Sequence, residues 1–540
     1  MRSKPINHKF QRFADVLLTA SVHFDAFRAD PGAYLTATKW WIKRKRVRAR
    51  GQFAPLLSRS PRAYMLWALR QEQADRVASP VDLSRPIIAL VDIRTDPRPD
   101  EVAVTLASLS AEGVPALLVG SPETPDLTAI RAVIDWAAAP WLMPLAAGDR
   151  IAPGATAAYR AAMADPALRL IYADDDLLIN RRRRTPHFKP DWNSELFAHH
   201  DYLSGACVLR AMPDDLAAVA DDPDWAAGLT ALLASEGEVL HLRHMLHHRR
   251  TRPMARLPVA PIALARDLPP LSVLVPTRNR VALLRTCLEG VAAADYPDVE
   301  VIVVDNDSDD PETLAYLDAL DPARHRVLRH SGPFNYSAIN NRAVDVARGR
   351  LLCLLNNDIE TTERRWLATL ATQALRDDVG AVGARLLYPD GRIQHAGVVI
   401  GVGNAAGHAH RFLRPGEQGY FDRHSLPQFT MAVTAACLVV ARDRFLAVGG
   451  LDERNFAVAF NDVDLCLRLG QRGWQSLYEP RATLIHHESV SRGLDQDPVG
   501  AARFAGELAA LKRIWKTDDV YDPYHHPQLS RASERFAVVV

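Results

Sequence analysis

The feature that most constrains this chain is an alternation of short apolar strands with amphipathic helices over residues 271–525, each strand stopping on a polar or acidic residue. The stretch LSVLVPTRNRVALLRTCLEGVAAADYPDVEVIVVDNDSDD shows the pattern. Leu271–Val275 reads as a strand, Pro276 as its end, and Thr277, Arg278 and Asn279 as a turn. Asn279 is placed to cap the next helix. Leu284, Leu288 and Val291 recur at helical spacing and give that helix a buried face. Val301–Val304 is the next strand, followed at once by Asp305. This is a βαβ unit, and its continuation predicts an α/β domain with a mostly parallel sheet. Ligands of open α/β sheets bind beyond the carboxyl ends of the strands. Thr277, Asn279 and Asp305 fall at that edge.

A third strand, Leu351–Leu355, reaches the same edge and stops on Asn356, Asn357 and Asp358. An acid there is placed to hold Mg²⁺ or Mn²⁺ against phosphate oxygens, since a diphosphate supplies most of the remaining ligands. Farther on, Asp462 and Asp464 stand before LCLRLGQRG, a helix with Leu465 and Leu469 on one face. A helix N-terminus keeps carboxylates ionised, and an ionised Asp can act as a general base; capping is the plainer role, above all for Asp464. His486 follows the strand-like ATLI and can complete a metal site as a neutral imidazole.

Charge separates the chain into parts. Lys+Arg number 65 and Asp+Glu 64, a net +1. Residues 1–80 alone hold 16 Lys/Arg against 5 Asp/Glu, so a +11 head sits on a −10 body. The head is expected to be helical. Its run KWWIKRKRVRARGQF, residues 39–53, sets Trp40, Trp41 and Phe53 among cations, which suits an anionic membrane surface. No apolar run is long enough to span a bilayer, and the N-terminus lacks a signal-peptide core. The 5 Cys form no CxxC, which fits a reducing cytosol. The expected location is therefore cytoplasmic, peripheral at the inner face of the cell membrane, with no nucleic-acid partner.

Taken together, PTRNR, VVDNDSDD, LLNNDIE, VTAACLVV, VGGLDE, FNDVDLCLR and YEPRATLIHHESVSRG resemble glycosyltransferase family 2, inverting enzymes of GT-A fold. The closing DVYDPYHHPQLS resembles the tail of two-domain bacterial members that build O-antigens and other surface polysaccharides. The resemblance implies a nucleoside-diphosphate sugar donor, a glycan or lipid-linked acceptor, and Mn²⁺ or Mg²⁺. It implies nucleotide binding by Thr277, Asn279, Asp305, Asp307 and Arg492. Metal binding would fall to Asp358 and His486, with Asn356 where the family's DxD motif has its first Asp. Asp462 would be the base, preceded by Asn461 where many relatives have Glu. Asp464, His408 and Trp474 are placed on the acceptor side.

Residues 85–255 also resemble these two-domain members, through LIYADDDLLIN and HFKPDW. The expected architecture is α/β: two GT-A-like domains with mostly parallel central sheets and a basic helical N-terminal region. The divisions are 1–80, a degenerate domain 85–255, a Pro-rich linker 256–270, a catalytic domain 271–525 and a tail 526–540. In the degenerate domain only Asp149 remains of the acidic metal motif. Asp174, Asp175 and Asp176 read as a solvated acidic turn that could also take a cation. Two rival classes are a non-catalytic scaffold that binds membrane or glycan, and a nicotinamide-dependent oxidoreductase. The second rests on Gly401, Gly403 and Ala406 in G-x-G-x-x-A spacing.

Overall fold

The computed structural model describes residues 8–71, 85–487 and 498–540. Four helices open the chain: α1 (His8–Ala29), α2 (Pro31–Ile42), α3 (Arg46–Ser58) and α4 (Ala63–Gln71). Asp30 caps α2 by accepting from Ala33 N at 2.9 Å, and Pro31 follows it at the first helical position.

Two large sheets follow. The first holds β1 (Ile87–Asp92), β2 (Ala116–Val119), β3 (Trp141–Ala146), β4 (Arg150–Ile151), β5 (Leu168–Ile179), β6 (Arg182–His187), β7 (Cys207–Leu209) and β8 (Glu238–Arg249). Its order is β2-β1-β3-β7-β5-β8-β4, with β6 on β5. The second holds β9 (Leu271–Thr277), β10 (Val299–Asp305), β11 (His325–Arg329), β12 (Leu351–Leu355), β13 (Ile359–Thr361), β14 (Val379–Leu387) and β15 (Ile393–His395). After a small hairpin of β16 (Val398–Ile400) and β17 (Ala406–His408) it adds β18 (Gln428–Thr430), β19 (Cys437–Ala441) and β20 (Gln475–His486). Its order is β11-β10-β9-β12-β19-β14-β20-β13, with β15 on β14 and β18 on β20.

The two sheets repeat one plan. With β11 and β18 set aside, β10, β9, β12, β19, β14, β20 and β13 follow the same spatial order, chain order and strand sense as β2, β1, β3, β7, β5, β8 and β4. In both, the leading strands are parallel and antiparallel pairs are mixed in beyond them. The architecture is α/β with two sheet-bearing units and a helical N-terminal region. Strands buried on both faces split their side chains by parity. Val273, Val301 and Cys353 join one core of the second sheet, while Leu274, Ile302 and Leu354 join the other.

Four local expectations change. Pro276 lies inside β9 instead of ending it; the pairing with β12 runs only from Leu271 to Leu274, so no ladder bond is lost on that side. Asn279 does not cap the helix Val281–Ala292, whose N-cap is Arg280 without a side-chain cap. Gly401 and Gly403 lie in the tight turn of the β16–β17 hairpin, not between a strand and a helix, so the dinucleotide fingerprint has no structural support. Residues 526–540, read as a tail, are packed: Trp67 Nε1 donates to Gln528 Oε1 at 2.9 Å and Val538 N to Ser58 Oγ at 3.0 Å.

Candidate functional site

The carboxyl ends of β9, β10 and β12 carry the expected polar edge. Thr277 ends β9, and its Oγ1 accepts from Asn357 Nδ2 at 3.0 Å. Asn279 Oδ1 accepts from the backbone N–H groups of Asp309 and Asp310 at 3.0 and 3.1 Å, which knits the turn to the loop after β10. Asp305, 1% exposed, accepts from Ser308 N at 3.2 Å and pairs with Arg329. Asp307 is exposed and accepts from Gly332 N at 2.9 Å; that N–H holds its carboxyl below the ordinary value. Arg492 lies outside the described residues.

Deeper along the edge, Asp358 Oδ1 stands 3.1 Å from His486 Nε2. The other ring nitrogen, Nδ1, is 2.7 Å from Gln394 Oε1. An Nδ1–H donating there leaves the Nε2 lone pair facing Asp358, the second-sphere arrangement that orients histidine ligands. Asn356 Nδ2 lies 3.3 Å from the same Nε2. A carboxylate oxygen and an imidazole lone pair converging in this way suit a hard divalent cation. Gln394 was not foreseen, since it comes from β15, remote in sequence.

Asn356, Gln394 and His486 line one cavity of about 290 Å³ together with Tyr336, His408, Asn461 and Asp462. Asp462 sits in the first turn of the helix Asn461–Gln471. Its Oδ2 accepts from Ala435 N at 3.1 Å and its Oδ1 from Val463 N at 2.8 Å. Burial raises its pKa above the usual carboxylate value, against the pull of those N–H groups. The wall beside it is held by Glu507, which accepts from Val458 N and Ala459 N at 2.9 Å each.

His408 is aimed by a hydrogen-bond chain. Thr434 N approaches His395 Nε2 at 3.4 Å, and His395 Nδ1 meets His408 Nδ1 at 2.9 Å. With His395 Nε2 accepting, its Nδ1–H donates to His408, whose own proton then sits on Nε2. Burial pushes the His408 pKa down to about 3, so the ring is a neutral donor. Asp464 and Trp474 do not join this group. Asp464 pairs with Arg468 at 2.7 Å and accepts from Trp515 Nε1 at 2.9 Å, and Trp474 packs under Arg444 at 5.6 Å. His410 is buried and stacks on Phe536 at 4.4 Å.

The equivalent edge of the first sheet is closed. Asp149, before β4 as Asp358 is before β13, accepts from Arg250 N at 2.7 Å and lies 3.7 Å from Arg249. Burial pushes its pKa up to about 6. A Cβ on Gly148 would overlap the Arg250 side chain, and one on Gly205 the Arg249 guanidinium. Asp174, Asp175 and Asp176 are not a solvated turn: they lie in β5 and are at most 1% exposed. Asp175 is paired with Lys189 at 2.8 Å, itself fully buried, and with Arg252. Asp176 takes Tyr64 and Arg183 at 2.5 Å each and His248 at 2.9 Å. Asp174 contacts His241 and His526 at 3.0 Å each. Among the described residues those three form the one group with three metal-capable atoms together. However, His526 Nδ1 accepts from Gln528 N at 3.0 Å, so its proton is on the Nε2 facing Asp174. That tautomer suits a charged hydrogen-bond cluster and not a cation ligand.

Residues 272–410 match the family model described as Glycosyl transferase family 2. The chain is 36% identical over 432 residues to the O-antigen biosynthesis protein RfbC of Myxococcus xanthus, covering 72% of this chain and 33% of that protein. It is 38% identical over 424 residues to the uncharacterized protein y4gI of Sinorhizobium fredii, covering 69% and 46%. The chain thus spans less than half the length of these two relatives. Among solved structures it is similar to the mannosyltransferase PcManGT of Pyrobaculum calidifontis, at 19% identity and a TM-score of 0.36, covering 50% of this chain and 71% of that one. Through residues 272–410 the chain carries a glycosyltransferase family 2 domain.

Proposed function

We propose that the chain is an inverting glycosyltransferase of surface polysaccharide synthesis. It moves a sugar from a nucleoside-diphosphate sugar to a hydroxyl of a glycan or lipid-linked acceptor. The observation that carries this reading is the meeting of Asp462 with Asn356 and His486 around one cavity, beside the edge formed by Thr277, Asn279, Asp305 and Asp307. The nucleotide lies along that edge, with ribose hydroxyls or base N–H groups on the carboxylates. Asp358 and His486 would hold Mn²⁺ or Mg²⁺, and the ion would supply neutralisation of the charge on the diphosphate leaving group.

Asp462 accepts the proton of the acceptor hydroxyl. The hydroxyl oxygen bonds to the anomeric carbon from the face opposite the diphosphate, and the bond from that carbon to the phosphate oxygen breaks. One base suffices and no protein nucleophile is needed. His408 Nε2–H donates to the incoming hydroxyl and orients it towards Asp462. The first unit is the non-catalytic partner. The five cysteines, all buried and unpaired, suit a reducing cytoplasm where nucleotide sugars are made. Among the described residues no helix is long and apolar enough to cross a membrane.

The test is transfer from a panel of nucleoside-diphosphate sugars with and without Mn²⁺. Stereochemical inversion and loss of transfer in Asp462→Asn support the reading. Transfer by that variant at the unmodified rate overturns the assignment of the base.

A further inference from the structure

The helical head presents its apolar side outward. On α1 the buried positions are the small Val22 and Ala26, at 1% exposure each. Phe13, Leu17, Phe24 and Phe27 recur at helical spacing on the other side and are 40–62% exposed. At the end of α2, Trp41 and Ile42 are 43% and 74% exposed. A helix that packs through its small residues and leaves its aromatic stripe bare has an unmet partner.

The charges nearby say which one. Residues 31–71 hold no Asp or Glu. Asp15 and Asp25, on α1, are taken by Arg70 and Arg62. Lys39, Lys43, Arg44, Lys45, Arg46, Arg48 and Arg50 then have no carboxylate partner among the described residues. Arg46 lies 3.8 Å over the Trp41 ring and Arg48 4.3 Å over that of Trp40, so cations and aromatics form one mixed surface. A second copy of the chain would face this run with the same positive sign. An anionic bilayer meets both demands: headgroups take the cations, and aromatic and aliphatic side chains enter the interface.

We propose that α1–α3 form a peripheral docking surface for anionic lipid, lying on the bilayer without crossing it. The inference stands on the head alone and does not require sugar transfer by the remainder of the chain. The experiment is co-sedimentation of the full chain with mixed phosphatidylglycerol/phosphatidylcholine vesicles and with pure phosphatidylcholine vesicles, at low and high salt. Pelleting on the mixed vesicles that fades with salt is expected. The triple variant Lys43→Glu, Arg46→Glu, Arg48→Glu is expected to bind them more weakly by about five-fold or more per charge. The double variant Phe13→Ser, Phe24→Ser is expected to bind more weakly too, with an unchanged melting temperature because both side chains are already exposed. Absence of pelleting on mixed vesicles at low salt overturns the proposal, as does pelleting that neither variant weakens. Self-association in sedimentation velocity that disappears in the Phe variant also overturns it, since a second copy would then be the occupant.

Discussion

In the sheet of residues 87–249 the acid before the short edge strand is Asp149; in the sheet of residues 271–486 it is Asp358. Strand order and sense around the two are the same. Their neighbours differ. Asp149 meets Arg249 and the Arg250 N–H, while Asp358 meets His486 beside a cavity. The residue ending β10 is Asp305 and its counterpart ending β2 is Val119. The helix before β20 carries Asp462 in its first turn; the helix before β8, Trp225–Glu236, carries no acid there. One backbone plan therefore supports two uses of charge. In the second unit Asp462 lines a cavity and Asp358 stands beside the His486 ring that lines it. In the first they are consumed by cations of the same chain.

The largest expected effect separates the two bases of comparison directly. Asp462→Asn lowers transfer by roughly 10²–10⁴-fold, the range of a general base, whereas Asp149→Asn is expected to leave the rate within about two-fold, since Arg249 and the Arg250 N–H occupy that carboxylate. Equal losses in both would break the distinction. Next, Asp358→Asn and His486→Ala each weaken Mn²⁺-supported nucleotide binding by roughly 10–100-fold. Thermal shift with a nucleoside diphosphate, with and without Mn²⁺, reads this.

A different readout belongs to the first unit. Asp175→Asn leaves Lys189 buried without its partner and costs about 3–5 kcal/mol of stability. Urea denaturation measures that loss, and nucleotide affinity of the folded fraction should not move. The smallest effect concerns pH. Burial raises Asp149 from 3.8 to about 6, so the folded form takes up a proton that the unfolded form does not. Its stabilising contribution is present below the unfolded value and is lost as pH rises through 6. Asp149→Asn should lessen that slope, leaving the like contribution of Asp522, which burial also raises to about 6, and the opposite loss at lower pH from Asp174 and Asp175. Those two carboxyls are opposed by burial, but His526 and His241 hold the first below its usual range, and Lys189 and Arg252 the second. A variant with an unchanged slope between about pH 4 and 6 would contradict the assignment of the buried proton.

What the sequence revealed follows contact range. The edge residues Thr277, Asp305 and Asp358 were legible because each lies at or within three residues of the end of an apolar strand, so topology alone places them at one edge. Asp462 was read as the base and Asp464 as a cap or acceptor-side residue, and residues two apart on a helix face different ways. Only one could reach the cavity, and Asp464 turned to Arg468 and Trp515. Asn279 looked like a cap because the cap rule is local; its real partners lie 30 and 31 residues on. Asp174–Asp176 looked solvated because their partners Tyr64, Lys189, Arg252 and His526 are scattered along the chain. Gln394 was unreadable for the same reason, lying 92 residues from the ring it orients.

The packed segment that runs past His526 has a consequence for the order of assembly. Trp67 meets Gln528 across 461 residues, and Ser58 meets Val538 across 480. Contacts of such range close only after the intervening chain is made and compact. During translation both sheets can form while the head still lacks its bonds to Gln528 and Val538. On a ribosome arrested before residue 526, helices α3 and α4 have neither bond, so the head can rest on the first sheet, where Tyr64 donates to Asp176, but is not yet locked by the closing segment.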